Sequence, residues 1–160
     1  MDAKPLITEE AAAFRDALPD GGVLLGLDLG TKTIGTAFCD AGWRFATAAK
    51  TLPKGKFSRD KAVIEGLNAQ RGVKGIVIGL PLNMDGSAGP RVQASRAFAR
   101  NLAVLGLPIL LWDERWSTQS AERDMIAMDM SRAKREERID SHAAAIILQG
   151  AIDRLAGGIL

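Results

Sequence analysis

The sequence predicts a single α/β domain in which a mixed central β-sheet is flanked by helices. Three observations support this fold class. Three strand-like segments joined by short turns open the main part of the chain, and short turns make neighbouring strands antiparallel. Short apolar runs with the length of buried strands then alternate with segments of helical spacing, which is typical of parallel strands with helical crossovers. The 160 residues, of which 47% are hydrophobic, are enough for one core.

The first half of the chain predicts a helix followed by a three-stranded meander. Residues 6–18 have amphipathic helical spacing, and the turn sequence Pro19-Asp20-Gly21-Gly22 ends them. Three extended segments with intervening turn residues follow, at 23–29, 34–39 and 43–51.

The second half predicts alternating helices and strands. Helices are expected at 57–71, 91–105, 117–128 and 141–155, and buried strands at 75–79 and 108–112. The segment 129–138 is polar and basic, and we expect a loop there. These elements imply a helical extension over residues 1–22 and an α/β domain over residues 23–156.

Composition narrows the class of protein further. The formal charge is only +2, so a nucleic-acid partner is permitted but not demanded. The lone cysteine, Cys39, cannot form an internal disulfide, which favours the reducing cytoplasm. Clusters of cysteine and histidine are missing, which removes the usual zinc sites. Since there is no run of about 20 apolar residues, we expect no membrane span and no signal peptide.

Two acidic side chains stand at predicted strand ends. Asp28 lies among leucines in the strand 23–29, where an acid is costly unless it is paired or bound to metal; a solvated turn acid is the alternative. Asp113 and Glu114 follow the apolar run 109–112. Consecutive residues of a strand point to opposite faces, so only one of this pair can readily join Asp28.

A third acid, Asp140, opens the last predicted helix. Aspartate at that position is a common helix cap, which is the simpler interpretation. Asp140 also shares a helical face with Ala144, Ile147 and Ala151, and this apolar face is expected to pack on the sheet. Asp140 would then point toward the strand ends.

Three converging carboxylates indicate metal chemistry, because they would repel one another without a cation among them. Oxygen ligands without histidine or cysteine favour Mg²⁺ or Mn²⁺. A pair of such ions can activate water and stabilise the leaving oxygen of a phosphodiester. The three acids therefore suggest a nuclease.

Four segments of the chain carry a family resemblance. The sequences GLDLGTKTIG, GLPLNMDGSAGP, DERWST and IDSHAAAIIL occur in this order between about residues 23 and 155. In this order they resemble the YqgF/RuvX family of pre-16S ribosomal RNA nucleases, which are also described as Holliday-junction resolvases. The resemblance implies an RNase H-like fold and a hydrolase that acts on phosphodiester bonds. It assigns the metal-binding carboxylates to Asp28, Glu114 and Asp140.

The resemblance also places a substrate loop after the strand 75–79. It contains Asn83 and Asp85, and a tight turn at Asp85-Gly86 is an equally good interpretation. Trp116 stands where the family commonly has leucine, as a packing variation or as a base-stacking residue. Ala143 occupies the place of a second acid in related resolvases. The neighbouring His142 lies on another side of the helix from Asp140, and we expect it to face solvent or to cap.

Basic residues near the predicted acids are candidates for phosphate binding. Arg132, Lys134 and Arg135 crowd the segment just before Asp140, although Glu136 and Glu137 partly neutralise it. Lys32, in the turn after Asp28, could meet a phosphate or simply cap the turn. Two further basic groups, at residues 50–61 and 91–100, are more simply solvated faces.

Three functions remain in view. The first is a Mg²⁺- or Mn²⁺-dependent endonuclease that processes the 5′ end of pre-16S rRNA, with the small ribosomal subunit as a further partner. The second is a resolvase of branched DNA, for which a homodimer would suit the two-fold substrate better than a monomer. The third is a non-catalytic module for ribosome assembly. An actin-like ATPase shares the glycine-rich opening, but it needs two such domains.

Overall fold

The computed structural model describes residues 6–83, 85–114 and 132–157, and for residues 132–141 it describes the backbone alone. Six strands and four helices lie in this part of the chain. The strands are β1 (Ile7–Thr8), β2 (Leu24–Leu29), β3 (Thr33–Cys39), β4 (Ala46–Pro53), β5 (Gly75–Leu80) and β6 (Ile109–Asp113). The helices are α1 (Ala11–Ala17), α2 (Phe57–Arg71), α3 (Pro90–Leu102) and α4 (Arg132–Gly157), with a 3₁₀ turn at Ala103–Leu105 after α3.

One mixed sheet contains all six strands in the order β1-β6-β5-β2-β3-β4. The strands β1, β6, β5 and β2 are parallel, and β2, β3 and β4 form the antiparallel meander. This confirms the predicted fold class. The short turn between β2 and β3 explains the antiparallel pair, while α2 and α3 make the crossovers that parallel strands require.

The period-two alternation of the strands divides the core into two layers. In β2, Leu25, Leu27 and Leu29 pack with residues of α2 and α3 on one face of the sheet. Leu24 packs on the other face with Phe14 of α1 and with α4. Each central strand is therefore apolar on both sides, which explains its continuous hydrophobic sequence.

The start of the chain differs from its prediction. Residues 7–8 are not helical but form β1, which pairs with β6 at the edge of the sheet, and the helix is confined to Ala11–Ala17. The Glu10 backbone is extended before the helix begins. Edge pairing supplies backbone hydrogen bonds that local helical spacing cannot reveal. The division into residues 1–22 and 23–156 stays a prediction.

The last helix also differs, because it begins at Arg132 and not at residue 141. The segment 132–138 was predicted as a loop on account of its polarity. It contains no glycine or proline, and its alanine, lysine, arginine and glutamate residues all have high helix propensity. Polarity alone therefore does not exclude a helix. The predicted helix 117–128, residues 129–131 and Trp116 lie outside the described residues.

Close contact between α4 and the sheet depends on Gly26 of β2. A Cβ at this position would lie 2.9 Å from the Leu148 Cβ and 3.1 Å from the Ala144 carbonyl oxygen. Both are tighter than ordinary packing contacts, so the helix would have to move away from the sheet.

We expect Gly26→Ala to lower the free energy of unfolding by about 1–3 kcal/mol because it overpacks this contact. Chemical denaturation monitored by circular dichroism measures the change. Gly66→Ala is the matched control: nothing lies within 4 Å of the added methyl group in α2, and we expect a gain of about 0.4–1 kcal/mol. Equal effects of the two substitutions would contradict the close packing of α4.

Candidate active site

Asp28 and Glu114 come together on the α4 face of the sheet. Asp28 follows Leu24 and Gly26 at two-residue spacing in β2, and both of those residues contact α4. Glu114 comes directly after β6, and its backbone N–H donates to the Leu80 carbonyl oxygen at 3.2 Å. Parallel pairing brings the carboxyl ends of β2, β5 and β6 to the same end of the sheet.

Gly79 of β5 makes room for the Glu114 side chain. A Cβ on Gly79 would collide with Glu114 Oε2 and would lie 2.7 Å from the Ile147 Cδ1 of α4. The carboxylate therefore lies across the middle strand, beneath the last helix. Glu114 is only 9% exposed, although it is a charged residue at a strand end.

Strand geometry separates Glu114 from its neighbour. Asp113 is exposed and pairs with Leu80, whose side chain belongs to the layer of α2 and α3. Glu114 lies on the opposite face, together with Asp28. Strand alternation alone left this choice open and the family resemblance assigned Glu114; the structure brings Glu114 rather than Asp113 to Asp28.

The two carboxylates interact electrostatically. Burial and, after it, the negative charge of Asp28 together raise the pKa of Glu114 from 4.5 to about 7. The Arg91 guanidinium partly offsets this effect, and Asp113 adds a smaller unfavourable contribution. Asp28 itself is half-buried and makes contacts of its own.

Asp140 lies inside α4, two turns after its start, so its interpretation as the cap that opens the helix is wrong. Gln149 near the other end of α4 accepts a hydrogen bond from Ala46 N at 2.8 Å and donates one to the Arg44 carbonyl oxygen at 3.0 Å. These residues lie beside the start of β2, since Ala46 pairs with Cys39 at the far end of β3. The earlier turns of α4 therefore run toward the Asp28 end of β2.

The remaining predicted residues are distributed around this edge. Lys32 is exposed in the turn between β2 and β3. Arg132, Lys134 and Arg135 lie in the first turn of α4, and their side chains, like that of Asp140, lie outside the described part of the chain. Among the side chains that are described, no group of three potential metal ligands occurs.

The loop after β5 is ordered by its own side chains. Asp85 Oδ1 accepts hydrogen bonds from Ser87 N at 2.9 Å and from Ser87 Oγ at 2.6 Å. Asn83 Nδ2 donates to Ser87 Oγ at 3.0 Å, and Gly86 N donates to the Asn83 carbonyl oxygen. These bonds form the tight turn that the sequence suggested, and Asn83 and Asp85 remain exposed beside the site.

His142 and Ala143 also have defined places in α4. Ala143 is buried, so a neutral methyl group packs where related resolvases carry a second acid. His142 lies inside the helix and not at its end, so the expectation of a capping histidine is wrong, and its side chain is only partly exposed to solvent. Its Nδ1 atom is buried without a hydrogen-bond partner in the described structure.

Two cations that the sequence did not single out lie at the end of β2. Arg91, in the first turn of α3, donates to the Leu29 carbonyl oxygen at 3.3 Å. Lys54, which follows β4, donates through Nζ to the Gly30 carbonyl oxygen at 3.2 Å. In the sequence both belong to longer basic groups that are typical of solvated faces, so only the tertiary contacts distinguish them.

Carboxylates at the carboxyl ends of two parallel strands that flank a third, in a mixed sheet and beneath a C-terminal helix, define the class of RNase H-like nucleases. A solved structure supports the fold: that titled "T. thermophilus RuvC in complex with Holliday junction substrate" superposes with a TM-score of 0.52 over 85% of this chain and 96% of that chain, at 12% sequence identity. Residues 22–154 match the family RuvX, described as "Holliday junction resolvase", and the chain belongs to this family.

Two relatives are similar to this chain over almost their whole length. A protein of Novosphingobium aromaticivorans is 70% identical over 95% of this chain and 98% of its own length. A protein of Sphingopyxis alaskensis is 64% identical over 94% of this chain and 99% of its own length. Both carry the name "Putative pre-16S rRNA nuclease". The described part of the chain contains no helix that is long and apolar enough to cross a membrane.

The carboxylate pair should destabilise the metal-free fold above neutral pH. Because the folded-state pKa of Glu114 is raised to about 7, stability falls as pH rises from about 4.5 to about 7 and the folded protein must take up the charge. We expect Glu114→Gln to raise the free energy of unfolding at pH 8 by up to about 3 kcal/mol and to have little effect at pH 4.5. Denaturant titrations at both pH values, in EDTA, measure the difference.

Asp113→Asn is the control for this prediction. It removes a charge of the same sign from the adjacent residue on the exposed, opposite side of the strand, so its effect should be much smaller. Equal stabilisation by the two variants, or a stabilisation by Glu114→Gln that does not depend on pH, would contradict the burial of the Glu114 carboxylate, which is the main cause of its raised pKa.

Proposed function

We propose that the protein is a metal-dependent endonuclease that hydrolyses phosphodiester bonds and processes the 5′ end of pre-16S rRNA. The observation that carries this proposal is the pair of like charges formed by the buried Glu114 and the half-buried Asp28, at the carboxyl ends of two parallel strands. Such a pair costs folding energy, and nothing in the packing of the sheet requires it. A site that holds a divalent cation explains why these residues lie together.

The donor set fits a hard divalent cation, Mg²⁺ or Mn²⁺. Carboxylate oxygens are the ligands that these ions prefer, and a cation would offset the repulsion that raises the Glu114 pKa. Asp28, Glu114 and Asp140 are the residues that we propose to hold it. When bound in such a site, these ions lower the pKa of water and stabilise the charge of a leaving oxygen.

The surrounding residues would hold and orient the substrate. Arg132, Lys134 and Arg135 in the first turn of α4 would contact phosphates, as would Lys32 in the turn beside Asp28; such contacts position a strand without reading its sequence. Asn83 and Asp85 would meet the substrate from the rim. Their mutual bonds with Ser87 keep this loop in one conformation.

Precursor ribosomal RNA is the favoured substrate because the relatives that match almost end to end are named for it. The family description favours branched DNA as the second candidate. A non-catalytic assembly module is disfavoured, since it would gain nothing from the carboxylate pair. We place the reaction in the cytoplasm, in keeping with the free, buried thiol of Cys39, and with the small ribosomal subunit as a partner of a monomer or homodimer.

Asp28→Asn should reduce cleavage at least about 100-fold, because it removes a metal ligand while keeping the shape of the side chain. The measurement compares Mg²⁺-dependent cleavage of pre-16S rRNA and of a four-way DNA junction by wild type and variant. Asp113→Asn should retain activity, because Asp113 lies at the same end of the sheet but on its opposite face. Cleavage of the RNA by wild type but not by Asp28→Asn supports the processing nuclease. Cleavage of the DNA junction alone supports the resolvase. If neither substrate is cleaved, the proposed enzymatic activity is contradicted.

Neutralising Arg132, Lys134 and Arg135 to glutamine should weaken nucleic-acid binding and its salt dependence. Loss of three phosphate contacts would reduce the slope of log affinity against log salt by about 2 for a single strand. Fluorescence anisotropy in EDTA over a range of KCl concentrations gives this slope. Arg100→Gln, an exposed arginine near the other end of α3, is the control, and an unchanged slope in the triple variant would contradict the proposed contacts.

A further inference from the structure

A small cavity lies at the carboxyl end of β2, on the side of the sheet that α3 covers. Its volume is about 60 Å³, and it is open to solvent on one side. The lining residues are Leu29, Gly30, Thr31, Lys54, Arg91, Ala94 and Ser95. The cavity therefore begins at the residue that follows Asp28 in the chain.

Two positive charges from different elements converge on this cavity. Lys54 reaches it from the connection between β4 and α2, and Arg91 from the start of α3. Each side chain is anchored by a hydrogen bond to a backbone carbonyl oxygen, of Gly30 and Leu29 respectively. A carbonyl group fixes the position of a cation but does not neutralise it, so both keep their attraction for an anion.

The size of the cavity restricts the anion. A cavity needs about 10–15 Å³ to hold one water molecule by the same measure, so 60 Å³ accommodates a small tetrahedral group but not a nucleobase or a sugar. A phosphate group meets both requirements, since it is compact and negatively charged.

Electrostatics explains why such a subsite is needed here. Arg91 is close enough to Glu114 for its charge to act on that carboxylate. A nucleic-acid strand that approaches Asp28 and Glu114 brings further negative charges toward them. Cations beside the carboxylate pair would offset the repulsion of the phosphates that flank the cleaved bond.

We infer that this cavity, between Lys54, Arg91 and the backbone at Gly30-Thr31, binds a phosphodiester group that neighbours the cleaved one in the substrate strand. The inference rests on the proposed nuclease function for the identity of the strand. It assigns to Lys54 and Arg91 a binding role, and it makes the turn after β2 part of the substrate surface.

Lys54→Gln tests the inference, because it removes the charge and keeps a hydrogen-bond donor for the Gly30 carbonyl oxygen. The probe is a fluorescein-labelled single-stranded RNA that spans the precursor cleavage site, bound in EDTA so that no cleavage occurs. We expect the slope of log affinity against log KCl to fall by about 0.7–1, the value for one phosphate contact. Lys54→Arg, which keeps the charge, should restore the wild-type slope.

Lys56→Gln is the matched control. Lys56 carries the same charge two residues away, is exposed and does not line the cavity, so its loss should leave the slope unchanged. Equal effects of Lys54→Gln and Lys56→Gln, or no effect of Lys54→Gln, would overturn the subsite. Thermal unfolding monitored by circular dichroism verifies that both variants are folded.

A scan of the RNA with single neutral methylphosphonate linkages locates the contact. The wild-type protein should bind the RNA more weakly when one particular linkage next to the cleavage site is neutral. The Lys54→Gln variant should bind this modified RNA no more weakly than the unmodified RNA. If the substitution and the neutral linkage weaken binding additively, the assignment is overturned. The binding assay and the cleavage assay test the two proposals separately. If the salt slope depends on Lys54 but no Mg²⁺-dependent cleavage occurs, the nuclease function is contradicted and the phosphate subsite is supported. If cleavage occurs but Lys54→Gln leaves the slope unchanged, the nuclease function is supported and the subsite is contradicted.

Discussion

The two-residue alternation of the central strands is the constraint on which both the core and the candidate site depend. It directs the leucines at 25, 27 and 29 toward α2 and α3, and it directs Leu24, Gly26 and Asp28 toward α4. A shift of one residue in β2 would exchange these faces. It would then bury Asp28 among α2 and α3 and leave leucines against α4. The same hydrophobic pattern that determines the register therefore also determines where the carboxylate lies.

Glycine at two neighbouring strands allows α4 to lie close to the sheet. Gly26 accommodates the backbone and side chains of the helix, and Gly79 accommodates the Glu114 carboxylate beneath it. A side chain at either position would separate the helix from the strand ends. Because α4 also carries Asp140, these contacts link the packing of the core to the assembly of the three acids that we propose as ligands.

The edge of the sheet near Asp28 combines opposite charges with different partners. The Glu114 and Asp28 carboxylates lie near each other, which is unfavourable, whereas Lys54 and Arg91 are held by neutral carbonyl groups. The carboxylates are complementary to a metal ion, and the adjacent cations are complementary to the phosphates of a nucleic-acid strand. Binding of the metal ion would offset the repulsion between the carboxylates in the free protein.

The sequence by itself determined the α/β class, the three-stranded meander, the bounds of α2 and the resemblance to the nuclease family, because these depend on local periodicity, turn residues and short motifs. It also singled out Asp28 and left either Asp113 or Glu114 as its partner. Strand alternation could not choose between them and the family resemblance assigned Glu114; the tertiary structure supplies the physical reason, because Glu114 lies on the face that meets Gly79 and α4. The early start of α4 agrees with the high helix propensity of residues 132–138, which is a local property. The pairing of β1 with β6 and the convergence of Lys54 with Arg91 depend instead on contacts between residues far apart in the chain, which no local pattern records.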